Sequence, residues 1–284
     1  MIALASILAI WAIGWAANAW LSNGAHSDTR TVRLIVPIIF GATVLAMWEV
    51  AVRLYGVSPV ILPAPSDVAI RFANELPTLW IDFEQTVLKG AMTGYIIGAL
   101  AAFGTAILAD RSDFLTRGVL PVGSFLAALP IVGIAPIFVK WLGADWHSKA
   151  AVVAVMIYFP ILVNTVAGLR DTSAMQRDLM ATYGAGYWTR LVKLRLPAAL
   201  PFIFNGLKIA TTLALIGAIV AEYFGSPTRG MGFRISKTFG TLELDMVWAE
   251  IVVAALAGSA FYGLIAWIEA RMTFWHPSQR PQTR

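Results

Sequence analysis

Two ionisable side chains lie inside one long apolar segment, Leu200–Phe224, and are the residues there most able to do chemistry. Lys208 stands about a third of the way along the segment and Glu222 lies near its end. Charges in such segments are costly in a membrane and mark solute pathways, relays or ion pairs. Lys208 could meet an anionic solute or pair with Glu222. Because the two lie about 21 Å apart along one helix, that pair needs a bend or a second chain.

The sequence lacks the motifs of common catalytic and nucleotide-binding sites. It has no G-x-x-x-x-G-K-S/T phosphate loop, and the dipeptide Gly-Lys never occurs. It also has no Cys, no H-E-x-x-H and no G-x-S-x-G, so nothing indicates a metal site or a nucleophile. We therefore predict that the chain binds no cofactor and is not itself catalytic.

A charged island, Arg177–Trp188, interrupts the apolar sequence. Because almost everything around it is membrane-like, we expect the island to lie in water. Thr172 or Ser173 can cap a helix that runs to about Tyr183. The residues alone leave two interpretations open: a handle for a soluble partner, or a helical hairpin that lies on the lipid headgroups.

Glycines lie within the second half of the island, and prolines follow it in the sequence. Gly184 and Gly186 can end the first helix in the left-handed conformation. A second, basic helix should then follow, with an apolar stripe formed by Trp188, Leu191, Val192 and Leu196. Leu196-Pro197 is expected to stop it, and Pro197 or Pro201 to begin the next membrane helix.

Composition places the chain in a membrane. Of its 284 residues, 58% are hydrophobic and 13% are charged, and the mean hydropathy is +0.73, whereas soluble domains carry about 25% charged residues. Several apolar runs approach the ~20 residues that cross a bilayer. We therefore predict an all-α, polytopic membrane helical bundle. The net charge of +5 fits Lys and Arg retained on the cytoplasmic side, not nucleic-acid binding.

Seven hydrophobic helices are predicted: Ile2–Leu21, Leu34–Tyr55, Val87–Ala109, Val119–Leu142, Ala150–Leu169, Leu200–Phe224 and Trp248–Ala270. The first could be a signal peptide, but it lacks a basic leading region and a clear cleavage site, so we expect it to be retained. One set of alternate connections holds twelve Lys and Arg residues, and the other holds five. The richer side should be cytoplasmic, which places the N-terminus outside and the C-terminus and the island inside.

The two polar connections on the outer side differ in character. Ser58–Glu84 should contain a short amphipathic helix, capped by Ser66 and with Asp67 in its first turn. The glycine-rich stretch Gly225–Asp245 is expected to be a re-entrant or surface loop.

Three predicted spans carry packing signals. In one, Glu49 and Arg53 lie four residues apart and can pair. In another, a glycine stripe, Gly90, Gly94 and Gly98, can pack within the chain or line a subunit interface or pathway. In the third, Val119–Leu142, Pro130 and Pro136 should kink the helix, which makes it a candidate for the translocation path.

The island resembles the EAA loop found in permease subunits of binding-protein-dependent ABC importers. That loop reads E-A-A, then three residues and a Gly, then about nine residues and a hydrophobic-x-Leu-Pro sequence. At those positions this chain has Asp178, Leu179 and Met180, then Gly184, then Leu196 and Pro197. The spacing matches, whereas the Glu-Ala-Ala triplet does not.

The resemblance extends over roughly residues 34–270. The short sequence motifs that carry it are Trp48-Glu49, Leu62-Pro63-Ala64-Pro65-Ser66, Phe159-Pro160-Ile161, Asn164-Thr165, Gly206-Leu207-Lys208 and Val220-Ala221-Glu222. Their order and spacing are similar to the nitrate, taurine and alkanesulfonate branch of the family. A type I importer core of six helices at 34–270 is implied, with an extra N-terminal helix and linker at 1–33 and a cytoplasmic tail at 271–284.

The resemblance also implies partners and roles. The chain would be a permease subunit of the bacterial inner membrane that passes a small anion or small polar organic molecule. It would work with ABC ATPase subunits that bind ATP and Mg, an external solute-binding protein, and a second copy or related permease. The expected coupling residues are Asp178, Leu179, Met180, Ala181, Gly184, Leu196 and Pro197, and the path candidates are Pro130, Pro136, Asn164, Lys208 and Glu222. The alternative is a secondary transporter or channel, but no internal repeat of the kind those proteins show is apparent.

Overall fold

The computed structural model describes residues 2–23, 29–225 and 228–275, and this part of the chain is helical without strands. Its α-helices are α1 Ile2–Asn23, α2 Arg30–Tyr55, α3 Pro65–Asn74, α4 Leu76–Phe83, α5 Met92–Asp110, α6 Asp113–Ala128, α7 Ile131–Leu142, α8 Trp146–Arg170, α9 Ala174–Thr182, α10 Tyr187–Arg190, α11 Leu196–Gly225, α12 Met231–Gly240 and α13 Leu244–Met272. Two π-helical segments, Glu84–Ala91 and Leu191–Arg195, join α4 to α5 and α10 to α11. The predicted all-α membrane bundle is confirmed.

Six runs of the described helices are long and apolar enough to cross a membrane: Leu4–Asn23, Thr31–Tyr55, Leu76–Asp110, Trp146–Arg170, Tyr187–Gly225 and Leu244–Met272. The seventh predicted span, Val119–Leu142, is not one kinked helix but two helices, α6 and α7. Pro130 takes an extended ψ of 114° and is the N-cap of α7. A proline has no N–H to bond back to the preceding turn, and because the backbone at Pro130 is also extended, α6 and α7 are separate helices. Pro136 lies inside α7.

One compact unit comprises residues 1–77 and 237–250. In it α1 packs along α2, with Gly14 so close to Thr43 that any added side chain would overlap the threonine. α2 begins at its cap Thr29 and ends where Gly56 adopts the left-handed conformation with a φ of 62°.

The predicted pair of Glu49 and Arg53 is confirmed, with Arg53 Nε 3.0 Å from Glu49 Oε1. The pair also holds the first turn of α3, because Arg53 donates to Asp67 at 2.6 Å. The predicted amphipathic helix is therefore present, but its predicted cap is wrong. Ala64 is the N-cap, and Ser66 lies inside the first turn, where its N–H and hydroxyl both donate to Glu49.

The second compact unit comprises residues 78–236 and 251–284, and its centre is formed by α5, α8 and α11. The glycine stripe packs within this unit, which agrees with the first of the two alternatives. A Cβ on Gly94 would lie 2.5 Å from the Ala150 carbonyl oxygen, and one on Gly98 would lie 2.7 Å from that of Ala154. Close backbone contact between α5 and α8 thus depends on glycine.

The stretch predicted as a glycine-rich loop contains an ordered helix. α12 occupies Met231–Gly240 between α11 and α13, and the prediction of a loop throughout Gly225–Asp245 is wrong for that part. Ser226 and Pro227 lie outside the described residues.

Candidate functional site

α9 is the first helix of the charged island, and its start is fixed by a reciprocal cap. Ser173 Oγ accepts from the Gln176 N–H at 3.2 Å, and Gln176 Oε1 accepts from the Ser173 N–H at 3.0 Å. Two backbone donors that the helix cannot satisfy are thereby bonded. Of the two predicted caps, Ser173 is the one used.

α9 buries none of its own residues. Two side chains of α9 and that of its C-cap form an exposed apolar stripe at four-residue spacing. They are Met175, Leu179 and Tyr183, which are 79%, 57% and 80% exposed. Asp178 is exposed as well. Of these three residues only Leu179 was predicted from the sequence, although the four-residue spacing of Met175, Leu179 and Tyr183 is that of one helix face.

The two glycines that follow α9 play different parts. Gly184 has a φ of 65°, and the Ala185 N–H bonds the Met180 carbonyl oxygen at 3.0 Å, which closes the helix in the predicted left-handed conformation. Gly186 is extended, with a φ of −69° and a ψ of 171°, and is the N-cap of α10. The prediction of a left-handed Gly186 is wrong.

The helix that follows does not stop at Leu196-Pro197, so that prediction is also wrong. Tyr187–Gly225 is one continuous helical run. The π segment Leu191–Arg195 lies just before Pro197, and in it the Leu196 N–H reaches back five residues to the Leu191 carbonyl oxygen. This wider turn accommodates a residue that has no N–H, so the run passes through proline. The predicted apolar stripe is divided, since Leu191 is buried while Trp188 and Val192 are exposed.

Asp110, the last residue of α5, binds α10 and the π segment that follows it. Arg195 donates to both of its carboxylate oxygens, at 2.6 and 2.7 Å. The Tyr187 hydroxyl donates to the same carboxylate at 3.0 Å, and Arg195 Nε donates to the Leu169 carbonyl oxygen of α8 at 2.9 Å. These contacts were not predicted from the sequence, because the residues that make them are far apart in the chain.

Asn164 of α8 is part of an amide pair with Asn205 of α11. Asn205 Nδ2 donates to Asn164 Oδ1 at 3.0 Å, and Asn164 Nδ2 donates to the Pro160 carbonyl oxygen at 2.8 Å. Asn205 is exposed on a stripe of α11 that continues through Ile209, Thr212 and Ile216. An exposed amide within an apolar span is costly against lipid.

The proposed pair of Lys208 and Glu222 does not form within this chain. Lys208 Nζ lies 2.6 Å from Glu269 Oε2 on α13. Glu269 is far from Lys208 in the sequence and was not predicted to be its partner.

Glu222 instead belongs to a buried cluster around the start of α12. Its Oε2 accepts from the Thr86 hydroxyl at 2.6 Å and from the Gly232 N–H at 3.1 Å. Asp82 Oδ1 accepts from the Gly230 N–H at 2.6 Å, and Asp82 Oδ2 accepts from Arg234 Nε at 2.7 Å. Side chains from two other helical segments thus satisfy backbone donors at the N-terminus of α12.

The start of α8 is held in two ways. The Trp146 N–H donates to the Asp145 carboxylate at 2.8 Å, and this bond keeps the pKa of Asp145 below its usual range. The buried Lys149 donates to the carbonyl oxygens of Ala144 and Gly225, the latter at 3.0 Å. Among the described residues, no group of three or more His, Cys, Asp or Glu side chains could hold a metal ion.

Comparison with known proteins agrees with this architecture. Residues 94–274 match the model of the family described as "Binding-protein-dependent transport system inner membrane component". A probable ABC transporter permease protein of Haemophilus influenzae is 30% identical over 84% of this chain and 96% of its own length.

Two further relatives have names that include a solute. The formylaminopyrimidine transport permease protein ThiX of Halalkalibacterium halodurans is 28% identical over 88% of this chain and 99% of its own length. The taurine transport system permease protein TauC of Escherichia coli is 28% identical over 83% of this chain and 87% of its own length.

Proposed function

The chain belongs to the family of inner membrane components of binding-protein-dependent transport systems, and from that premise we propose that α9 couples it to a separate ABC ATPase. The chain is a multi-pass membrane protein and an ABC importer permease for small solutes, in the branch that includes taurine, sulfonate and nitrate permeases. Such a permease is a transport protein and not an enzyme. In the proposal, ATP and Mg bind to the ATPase subunits, an external binding protein delivers the solute, and a second permease copy completes the pathway.

The observation that most supports coupling through α9 is its exposed apolar stripe. α9 buries none of its own residues and exposes Met175 and Leu179 together with its C-cap Tyr183, a surface that suits a hydrophobic groove on a partner. We place Asp178, Leu179, Met180, Ala181 and Gly184 at this contact. Leu196 and Pro197 would support it from the start of α11. Closure of two ATPase subunits on ATP would move α9 and rock the spans from inward-facing to outward-facing.

Topology and domains follow the same proposal. The excess of Lys and Arg on the island's side supports a cytoplasmic island and C-terminus and an external N-terminus. Residues 34–270 would form the permease domain, with 1–33 as an added helix and linker and 271–284 as a tail.

The solute is proposed to be a small anion or small polar organic molecule that passes along α7, α8 and α11. We keep Pro130, Pro136, Asn164, Lys208 and Glu222 as path residues. Asn164 has the most support, because its partner Asn205 is exposed at an apolar span. Lys208 and Glu222 already have partners within the chain.

Gly184→Val tests the coupling site. Valine is strained at a φ of 65° although nothing lies within 4 Å of its Cβ, so we expect the end of α9 to distort while the membrane core stays intact. The amount of ATPase that co-purifies in detergent, and ATP-driven transport, should both fall at an unchanged permease level. Gly186→Val is the matched control, because Gly186 also has open space but an extended backbone. Normal ATPase capture by Gly184→Val would exclude α9 as the docking site.

Asn205→Ala tests the path. Loss of one solute hydrogen bond should lower uptake roughly fivefold, and unequally across a panel of taurine, nitrate and a formylaminopyrimidine. Thr105→Ala is the control, since the Thr105 hydroxyl bonds the Ala101 carbonyl oxygen of its own helix at 2.8 Å. An equal loss for every solute, or none, would remove Asn205 from the path.

A further inference from the structure

Asp110 lies where α5 meets the end of α8 and the helical run Tyr187–Gly225, which begins shortly after α9. It ends α5, its carboxylate binds the Arg195 guanidinium through two bonds, and Arg195 also bonds the last turn of α8 at Leu169. The carboxylate is only 5% exposed, and the Arg195 side chain is 20% exposed. A two-bonded pair of this burial fixes orientation as well as distance.

A second contact ties the same carboxylate to the segment that leaves α9. The Tyr187 hydroxyl bonds Asp110 at 3.0 Å, and Tyr187 follows α9 by only five positions. Arg111, next to Asp110, lies 5.0 Å from the Tyr187 ring and 4.6 Å from the Trp188 ring. The end of α5 therefore binds the chain immediately after α9 through both charge and aromatic contacts.

The packing beneath these bonds favours rigid transmission. Leu169 and Leu191 are buried in one cluster with Ala199 and Ile203, while α9 itself has no buried residue. α9 thus has no core of its own, and in the chain that follows it the first side-chain bonds to another helix are those to Asp110.

We infer that the Asp110–Arg195–Tyr187 network transmits the movement of α9 to α5, and that Asp110 is a positioning residue for coupling. This inference rests on the proposed docking of an ATPase at α9. A network that only stabilised the fold would affect the yield of the protein but not how far α5 moves for each ATP bound.

The absence of Cys from the sequence provides a direct readout of α5. Leu108, which is 60% exposed, is replaced with Cys and labelled with an environment-sensitive fluorophore in the complete complex of permease, ATPase and binding protein in liposomes. ATP should change the emission of the label. Asp110→Asn should reduce that change at least about fivefold, while ATP hydrolysis by the assembled complex continues.

Milder variants keep the inference testable if Asp110→Asn fails to assemble. Tyr187→Phe removes one hydroxyl, and Arg195→Lys keeps the charge but loses the two-bonded geometry; each should reduce the ATP-induced change in emission. Asp82→Asn is the matched control, a fully buried carboxylate in the α12 cluster, and should lower yield but not the emission change per complex.

Two results would overturn the inference: an ATP response at Leu108 that none of the network variants alters, or no ATP response in the parent complex. Failure of the coupling proposal gives a different result from failure of this inference. If α9 is not the docking site, Gly184→Val still captures the ATPase. If Gly184→Val loses the ATPase while Asp110→Asn keeps a full response, α9 is the docking site and Asp110 is not its link to α5.

Discussion

Asp82→Ala is expected to lower the free energy of unfolding by about 3–5 kcal/mol, because it breaks a largely buried ion pair between Asp82 and Arg234. Asp82 is fully buried, and the Arg234 side chain that it binds is 19% exposed. The same carboxylate accepts the Gly230 N–H, so the substitution also removes the acceptor from a backbone donor at the start of α12. Thermal unfolding of the purified protein in detergent measures the loss.

Glu84→Ala is the matched control for this prediction, two residues away in sequence. Glu84 pairs with Lys89 at 2.8 Å, but the two side chains are 44% and 40% exposed. Solvent screening limits such a pair to about 0–1 kcal/mol. A loss of stability in Asp82→Ala no larger than in Glu84→Ala would mean that the cluster does not hold α12 in place.

The sequence predicted features that depend on neighbours in the chain. The cap at Ser173, the left-handed Gly184 and the pair of Glu49 and Arg53 all follow from residues within a few positions of each other. Local backbone geometry and helical spacing set these contacts, so no knowledge of the tertiary fold was needed.

The features that were missed depend on packing between distant segments. Lys208 pairs with Glu269 and not with Glu222, and Arg195 pairs with Asp110. Charge pattern alone cannot select among several carboxylates, because helix packing decides which one lies within reach. Ser66 was predicted as a helix cap for the same reason. In the fold its N–H donates instead to Glu49 of α2, which is distant in sequence.

The effect of a proline on a helix also depends on its surroundings in the fold. Pro130 separates two helices, whereas Pro136 and Pro201 lie within helices. Each lacks the same N–H, so the difference arises from what surrounds the proline. The π segment before Pro197 is one such accommodation, and its presence could not be read from residue types.

Gly98→Ala is expected to destabilise the protein although it adds only one methyl group. The new Cβ would lie 2.7 Å from the Ala154 carbonyl oxygen and from Ile157 Cγ1, and 2.9 Å from Ala154 Cα. Because backbone atoms cannot rotate away, α5 and α8 must separate, and overpacking of this kind costs about 1–3 kcal/mol or more. The thermal midpoint in detergent should fall, and the yield of folded protein should fall with it.

Gly104→Ala, on the same helix, provides the opposite expectation. Nothing lies within 4 Å of its Cβ position, so the gain in helix propensity of about 0.5–1 kcal/mol is not opposed by a clash. Its thermal midpoint should stay the same or rise. The difference in thermal midpoint between the two variants is therefore the test. Equal effects would show that the close contact of α5 with α8 does not depend on glycine.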